Sequence, residues 1–196
     1  MENRSRRRAL VAGLAGTALT ALGGRRVSAT PPTEPPGRPT DADTALLARA
    51  QQVELTARDL YDVAIEEGAA GDEDRVLLAA RANHQAAADS LSALIGTAAP
   101  QTADAELFEQ FADRFRTSDI TAVATAGYEL ESTLVATHTE LIGQLEGIDG
   151  AKTIAAVLVM EARMCTVLAD LAGEGDDLTA LFDNNASALA VSASEG

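Results

Sequence analysis

Four stretches of the chain place a charged or metal-ligating side chain in the middle of an otherwise apolar helical stripe. The groups are Glu54, the pair Arg81 and His84, Glu131, and Glu161. Such side chains are rarely buried without a partner, because an isolated charge in an apolar interior is costly enough to neutralise. We therefore expect these groups to meet at one polar or metal centre inside a bundle of four helices.

The spacing of the apolar residues predicts the helices that position these groups. Steps of three and four residues place side chains on one helix face. The helix formers Ala and Leu dominate, and aromatic residues make up 3% of the chain, so we expect an all-α fold. The four stripes are Leu47, Ala50, Glu54, Ala57, Tyr61 and Ala64; Leu77, Arg81, His84, Ala88, Leu91 and Ile95; Ala124, Tyr128, Glu131, Leu134, His138 and Leu141; and Ile154, Val157, Glu161, Met164, Leu168 and Leu171.

Acidic residues and glycines mark the predicted helix ends. Residues 97–118 form a long connection whose short helix carries three of the four Phe residues, which we assign to the core. Residues 174–196 form a tail with a short helix over 178–182 and a disordered Ala/Ser-rich end. The four main helices are predicted from Asp41 or Asp43 to Gly68, from Asp72 to Gly96, from 119 to 145, and from the turn at Gly150 to Gly173.

The chain also contains an internal repeat. Glu54 is followed seven residues later by Tyr61, and Glu131 is followed seven residues later by His138. The two halves therefore have the same pattern and predict two helix hairpins joined by a long crossover between helices two and three.

The most specific stretch of the sequence is Val-Met-Glu-Ala-Arg-Met at 159–164. It resembles the Val-Glu-Ala-Arg-His of the ferritin-like superfamily, and of its exported bacterial ferritin-like domain proteins in particular. The resemblance covers roughly residues 44–173 and includes Glu54 with Tyr61 and Leu130-Glu131 with the step to His138. It implies a ferritin-like antiparallel four-helix bundle with one long crossover. It also implies a carboxylate-bridged di-metal centre built from two glutamates and two Glu-x-x-His motifs.

Two residues depart from the family pattern. Arg81 stands where the resemblance implies a glutamate, and Met164 stands where it implies a histidine. The remaining expected ligands are Glu54, His84, Glu131 and Glu161. Each Glu-x-x-His motif has lost one ligand, so we expect no intact di-iron centre and no oxygen-activating chemistry.

Three arrangements remain open, and the first contains no metal. The guanidinium of Arg81 takes the place of the ion and binds the three glutamates, which leaves a structural polar core. Tyr61 and His138 are further members of this core. This metal-free arrangement predicts a non-catalytic structural or binding role without a cofactor, and it is the leading functional prediction.

The other two arrangements differ in whether the groups meet. In one, a single iron or other divalent ion binds Glu54, His84 and Glu161, with Met164 turned aside. This arrangement predicts a metal-binding protein or an oxidoreductase with a reduced site. In the other, the individual groups are exposed and share no centre.

The N-terminus predicts export. Residues 5–10 resemble a twin-arginine signal, an apolar run follows over 9–22, and Val27-Ser28-Ala29 is a cleavage-site pattern. We divide the chain into a signal peptide over 1–29, a Pro-rich linker over 30–40, the bundle over 41–173 and the tail. The expected location is the periplasm, the cell envelope or the extracellular space. An uncleaved N-terminal anchor is the alternative.

The charge of the chain limits its partners. A formal net charge of −15 argues against nucleic acid and against anionic membrane surfaces. We expect no stable membrane span once the signal is cleaved. The sequence leaves open self-association or a partner in the envelope. Cys165 is the only cysteine, so no intrachain disulfide can form.

Overall fold

A computed structural model describes residues 34–69 and 74–190, with Asp74 described by its backbone alone. The predictions for the signal peptide and the start of the linker fall on residues outside these ranges. The described chain is all-helical, which confirms the predicted all-α class. Its helices are α1 (Asp41–Glu66), α2 (Asp74–Ile95), α3 (Ala105–Phe115), α4 (Ile120–Ile142), α5 (Ile148–Leu171) and α6 (Leu178–Phe182). Within the described ranges no helix combines the length and the apolar character needed to cross a bilayer.

The four long helices pack as two hairpins. α1 lies against α2 and α4 lies against α5, with narrower contacts between α1 and α4 and between α2 and α5. In the first hairpin, Gln51 Nε2 donates to Ser92 Oγ over 3.0 Å and Arg81 Nε donates to Asp62 Oδ1 over 2.7 Å. Residue numbers therefore rise on one helix as they fall on the other, so the neighbours are antiparallel.

Side-chain caps explain where several helices begin. At the start of α1, the Thr40 hydroxyl accepts the Asp43 N–H while the Asp43 carboxylate accepts the Thr40 N–H. This reciprocal pair satisfies two backbone donors that the first helical turn leaves free. Asp104, Asp119 and Asp177 cap α3, α4 and α6 more simply, since each side chain accepts backbone N–H groups of the first turn without a reciprocal bond.

The connection between α2 and α4 folds back onto the core. α3 packs against α1 and α4 and buries Leu107, Phe111 and Phe115. The Phe115 ring meets the Tyr61 ring edge-on, with centroids 5.5 Å apart. The assignment of these phenylalanines to the core is confirmed for Phe111 and Phe115, while Phe108 is half-buried.

The described core forms two apolar clusters along the helix axes. One contains Leu60, Phe115 and Leu130, and the other contains Leu47 and Leu91. His84, His138 and Glu161 lie between the two clusters in chain order on their helices, whereas Glu54 and Glu131 are flanked on both sides by members of the larger cluster. A polar layer is therefore covered by apolar side chains on both sides.

The described part of the tail does not match the expected disorder. Asn184 Nδ2 donates to the carbonyl oxygen of Ser132 over 2.8 Å, and the Leu189 N–H donates to Thr137 Oγ1 over 2.9 Å. Leu189 also packs against the larger apolar cluster. The expectation is wrong for residues 184–190 because these contacts with α4 compensate for the loss of chain entropy.

Candidate metal centre

Six polar side chains from four helices meet in one buried layer that apolar side chains of the two clusters surround. All of them are 0% exposed, so the arrangement in which the groups are exposed and separate is overturned. They include every member of the predicted ligand set. The six are Glu54 and Tyr61 of α1, His84 of α2, Glu131 and His138 of α4, and Glu161 of α5.

His84 links two of the glutamates. Its Nδ1–H donates to Glu54 Oε2 over 2.8 Å, and its Nε2–H donates to Glu131 Oε1 over 2.9 Å. Burial alone would lower the pKa of His84, but the charges and hydrogen bonds of Glu131 and Glu54 raise it well above its usual value. Both ring nitrogens are therefore occupied, and neither is free to bind an ion.

Tyr61 completes this half of the layer. Its hydroxyl donates to Glu131 Oε1 over 2.7 Å, and its ring stacks on His84 with centroids 5.6 Å apart. Burial, together with the charge of Glu131, raises the pKa of Tyr61 well above its usual value, so the hydroxyl stays a neutral donor. A Cβ at Gly127 would lie 3.0 Å from this hydroxyl oxygen, which explains why α4 carries a glycine in its interior.

The other half of the layer contains His138, Glu161 and the second oxygen of Glu54. His138 Nδ1 lies 2.9 Å from Glu161 Oε2, and His138 Nε2 lies 3.6 Å from Glu54 Oε1. Burial lowers the pKa of His138, and the charge of His84 lowers it further, so the ring is neutral. In the neutral ring one nitrogen donates and the other accepts, so Nδ1 either donates to Glu161 or accepts the Glu161 proton, while Nε2 faces Glu54.

The carboxylates of Glu54 and Glu161 differ in protonation. Burial and the charges of Glu54 and Glu131 raise the pKa of Glu161 well above its usual value. Burial would also raise the pKa of Glu54, but the hydrogen bond and charge of His84 and the charge of His138 lower it overall. Without an added cation, Glu161 therefore carries a proton and Glu54 is ionised.

A proton on Glu161 would form a hydrogen bond with Glu54. With both carboxyl groups ionised, four buried polar atoms of this layer have no hydrogen-bond partner among the described residues. They are Glu54 Oε1, Glu131 Oε2, His138 Nε2 and Glu161 Oε1. Buried polar atoms without partners are uncommon and destabilising. Glu54, His138 and Glu161 each offer a ligand atom, and these three atoms lie within 4.8 Å of one another. This buried group could hold a divalent metal ion, since two carboxylates and one imidazole suit zinc, iron or manganese.

Arg81 lies outside the layer, and its predicted place in the polar core is wrong. Its Nε donates to Asp62 Oδ1 over 2.7 Å, and the two side chains are 40% and 38% exposed. α2 buries Ala80 together with His84, so Ala80 takes the interior position that was predicted for Arg81. The guanidinium stays in water because burial would remove its hydration. The arrangement in which Arg81 replaces the metal is therefore overturned.

The single-ion arrangement also needs a correction. The predicted imidazole, His84, has both nitrogens bonded to carboxylates, whereas His138 has an unpartnered Nε2. His138 therefore joins Glu54 and Glu161 in the metal-capable group. The sequence signal for this role was the seven-residue step from Glu131, which places the two side chains on one face of α4.

Comparison of the chain with protein-family models, curated proteins and solved structures finds no match. The resemblance to the ferritin-like superfamily therefore rests on the quoted residues alone and stays a prediction.

Proposed function

We propose that this chain is an exported, ferritin-like metal-binding protein that holds one divalent ion between Glu54, His138 and Glu161. The observation that carries the proposal is that Glu54, His138 and Glu161 offer three ligand atoms within 4.8 Å of one another, and that each of these buried residues has an atom without a hydrogen-bond partner. A bound cation would satisfy all three atoms at once. It would also balance the excess negative charge of the carboxylates in the layer.

The directions of the helices support a ferritin-like bundle. α1 contacts α4 through Tyr61 with Glu131 and through Glu54 with His138, so these two helices are antiparallel. Because α1 is also antiparallel to α2, helices α2 and α4 run in the same direction. The connection between them must then cross the length of the bundle, as in bundles with one long crossover.

The stoichiometry of one ion follows from His84. In a di-metal centre, the space between the glutamates would contain the second ion. Here His84 lies between Glu54 and Glu131 and bonds to both. Arg81, which stands at the position of the missing glutamate, projects outward.

The burial of the centre favours binding over catalysis. Glu54, His138 and Glu161 are each 0% exposed, so a substrate could reach an ion among them only if the helices separated. A divalent ion at this place supplies charge and cross-links α1, α4 and α5. We therefore assign the ion a structural or storage role, in which its binding stabilises the folded chain.

A metal-free core is the second candidate, and the pKa directions favour it. The raised pKa of Glu161 and the lowered pKa of Glu54 allow one proton to serve both carboxylates in place of an ion. In that case the layer holds the four helices in register without a cofactor. Metal analysis separates the two candidates.

The test uses the full chain exported by its native host, with Glu161→Gln and His138→Ala as variants. We expect about one iron, manganese or zinc per wild-type chain, and an ion at a hundredfold excess over its Kd should add about 2.7 kcal/mol of stability to the stripped protein. Both variants should lose the ion and the ion-dependent rise in melting temperature. Glu129→Gln is the matched control, because Glu129 lies on α4 and is exposed.

The results distinguish the candidates as follows. A wild-type chain that binds no ion and shows no metal-dependent melting contradicts the metal site and leaves the proton-sharing core. Retention of the ion by folded His138→Ala would show that the ligand assignment is wrong. Circular dichroism checks that each variant is folded.

A further inference from the structure

An apolar groove runs between α2 and α5, the pair of helices that contact each other over only a short length. It consists of two adjoining cavities of about 680 Å³ and 460 Å³, which share Asn83 and Met160. Small or apolar side chains such as Ala79, Ala87 and Val167 line it. Val167 is 45% exposed, so apolar surface lies open to water here.

The charge of the groove is opposite to that of the chain. Arg75 and Arg163 line the larger cavity and Lys152 lines the smaller one, whereas no described acidic residue lines either. The whole chain has 30 acidic and 15 basic residues. None of the three basic side chains forms an ion pair with a carboxylate in the described part of the chain. Among the described residues, the groove is therefore an apolar surface whose basic side chains, at both ends, have no carboxylate partner.

The short helix α6 has the complementary properties. Leu178 and Phe182 are 69% and 82% exposed, the two highest values among the large exposed hydrophobic residues. They are four residues apart and share one helix face. Asp176, Asp177 and Asp183 flank them and are exposed. α6 therefore presents an apolar pair surrounded by negative charge.

We propose that α6 of one copy of this chain binds in the α2–α5 groove of a second copy. Leu178 and Phe182 fill the apolar groove, and the flanking aspartates meet Arg75 and Arg163. Burial of exposed aromatic and aliphatic side chains drives association, while opposite charges at the edge set the register.

The positions of the two surfaces favour a closed dimer. Arg75 lies in the first turn of α2, Val167 lies near the end of α5, and α6 begins soon after α5 ends. The larger cavity and α6 therefore lie at the same end of the helices, so two copies can exchange α6 reciprocally around a twofold axis. The dimer requires no metal ion, so it is independent of the proposed function.

Sedimentation velocity of the exported full chain tests the proposal across a range of concentrations. We expect a species with the mass of two chains. Phe182→Ser should weaken the dimer by about tenfold or more, since it removes the central aromatic side chain. Leu78→Ser should leave the dimer unchanged; this matched control is 45% exposed but does not line the groove.

A charge exchange tests which surfaces meet. Arg163→Glu and Asp183→Arg should each weaken the dimer, and the combined variant should restore much of the affinity. A chain that stays monomeric at every concentration overturns the proposal. A dimer that is insensitive to Phe182→Ser overturns it as well, because another surface must then form the contact.

Discussion

At the scale of a single residue, the missing side chain of Gly127 leaves room for the Tyr61 hydroxyl that donates to Glu131. A Cβ at this position would lie 3.0 Å from the Tyr61 hydroxyl oxygen and 3.3 Å from Leu168 Cδ1. Alanine is favoured over glycine in a helix interior by about 1 kcal/mol. Whether Gly127→Ala raises or lowers the free energy of unfolding therefore depends on whether Tyr61 can move. Its hydrogen bond to Glu131 and its ring contacts with His84 and Phe115 hold it in place.

We therefore predict that Gly127→Ala destabilises the chain by about 1–3 kcal/mol through overpacking, despite the better helix propensity. Urea denaturation measures the change. Tyr61→Phe removes the hydroxyl, so the loss caused by Gly127→Ala should be smaller in that background. Gly143→Ala is the control, since its Cβ would meet its nearest neighbour at 3.4 Å. Equal losses with and without the Tyr61 hydroxyl would show that this contact is not the cause.

At the scale of the elements, Asp43 joins the start of α1 to the turn between α4 and α5. Its carboxylate accepts the backbone N–H groups of Thr40, Glu146 and Gly147 over 2.9, 2.8 and 2.8 Å. Burial would raise the pKa of Asp43, but these three hydrogen bonds lower it below the ordinary value of 3.8. The carboxylate therefore stabilises the fold at pH above that value, and the stabilisation is lost as pH falls through the lowered pKa.

Asp43→Asn should accordingly cost about 1–3 kcal/mol at neutral pH, because the amide nitrogen cannot accept a backbone N–H. The difference from the wild type should shrink as the pH falls from 3.8, where the carboxyl protonates in the unfolded chain, through the lowered pKa of the folded chain. Denaturation midpoints at neutral and acid pH measure it. Asp41→Asn, an exposed residue of the same turn, should change stability by only a few tenths of a kcal/mol. A loss that is independent of pH would exclude the charge of Asp43 as the cause.

At the scale of the whole molecule, the order of folding and export depends on residues outside the described ranges. If the twin-arginine machinery exports the chain, the buried layer forms before the protein leaves the cytoplasm. Arg6→Lys combined with Arg7→Lys should then leave the precursor in the cytoplasm, as measured by cell fractionation and immunoblotting. Arg25→Lys with Arg26→Lys keeps the same charges outside the motif and should be exported normally. Export of the Arg6/Arg7 variant at the normal level would remove the argument for folding before export.

Periodicity was sufficient to predict most of the elements. The stripes of α1, α4 and α5 bury Leu47, Leu134 and Ile154 as expected, because large apolar side chains at steps of three and four define one helix face. The α2 stripe was assigned to the wrong face at one position. Ala80 lies four residues before His84 and Arg81 lies three residues before it, so either of them can share a helix face with His84. Alanine is too weakly apolar to decide between them in the sequence.

The sequence by itself predicted interior positions for Glu54, His84, Glu131 and Glu161, because each is surrounded by apolar residues at helical spacing, and the structure was needed to exclude the arrangement in which they are exposed. Only the tertiary structure decided the role of each imidazole. His84 and His138 are equally interior in the sequence, yet one bonds to two carboxylates and the other has an unpartnered nitrogen beside Glu54. That distinction depends on distances of a few ångströms between side chains on different helices. Helix packing sets those distances, and the periodicity of a single helix contains no information about them.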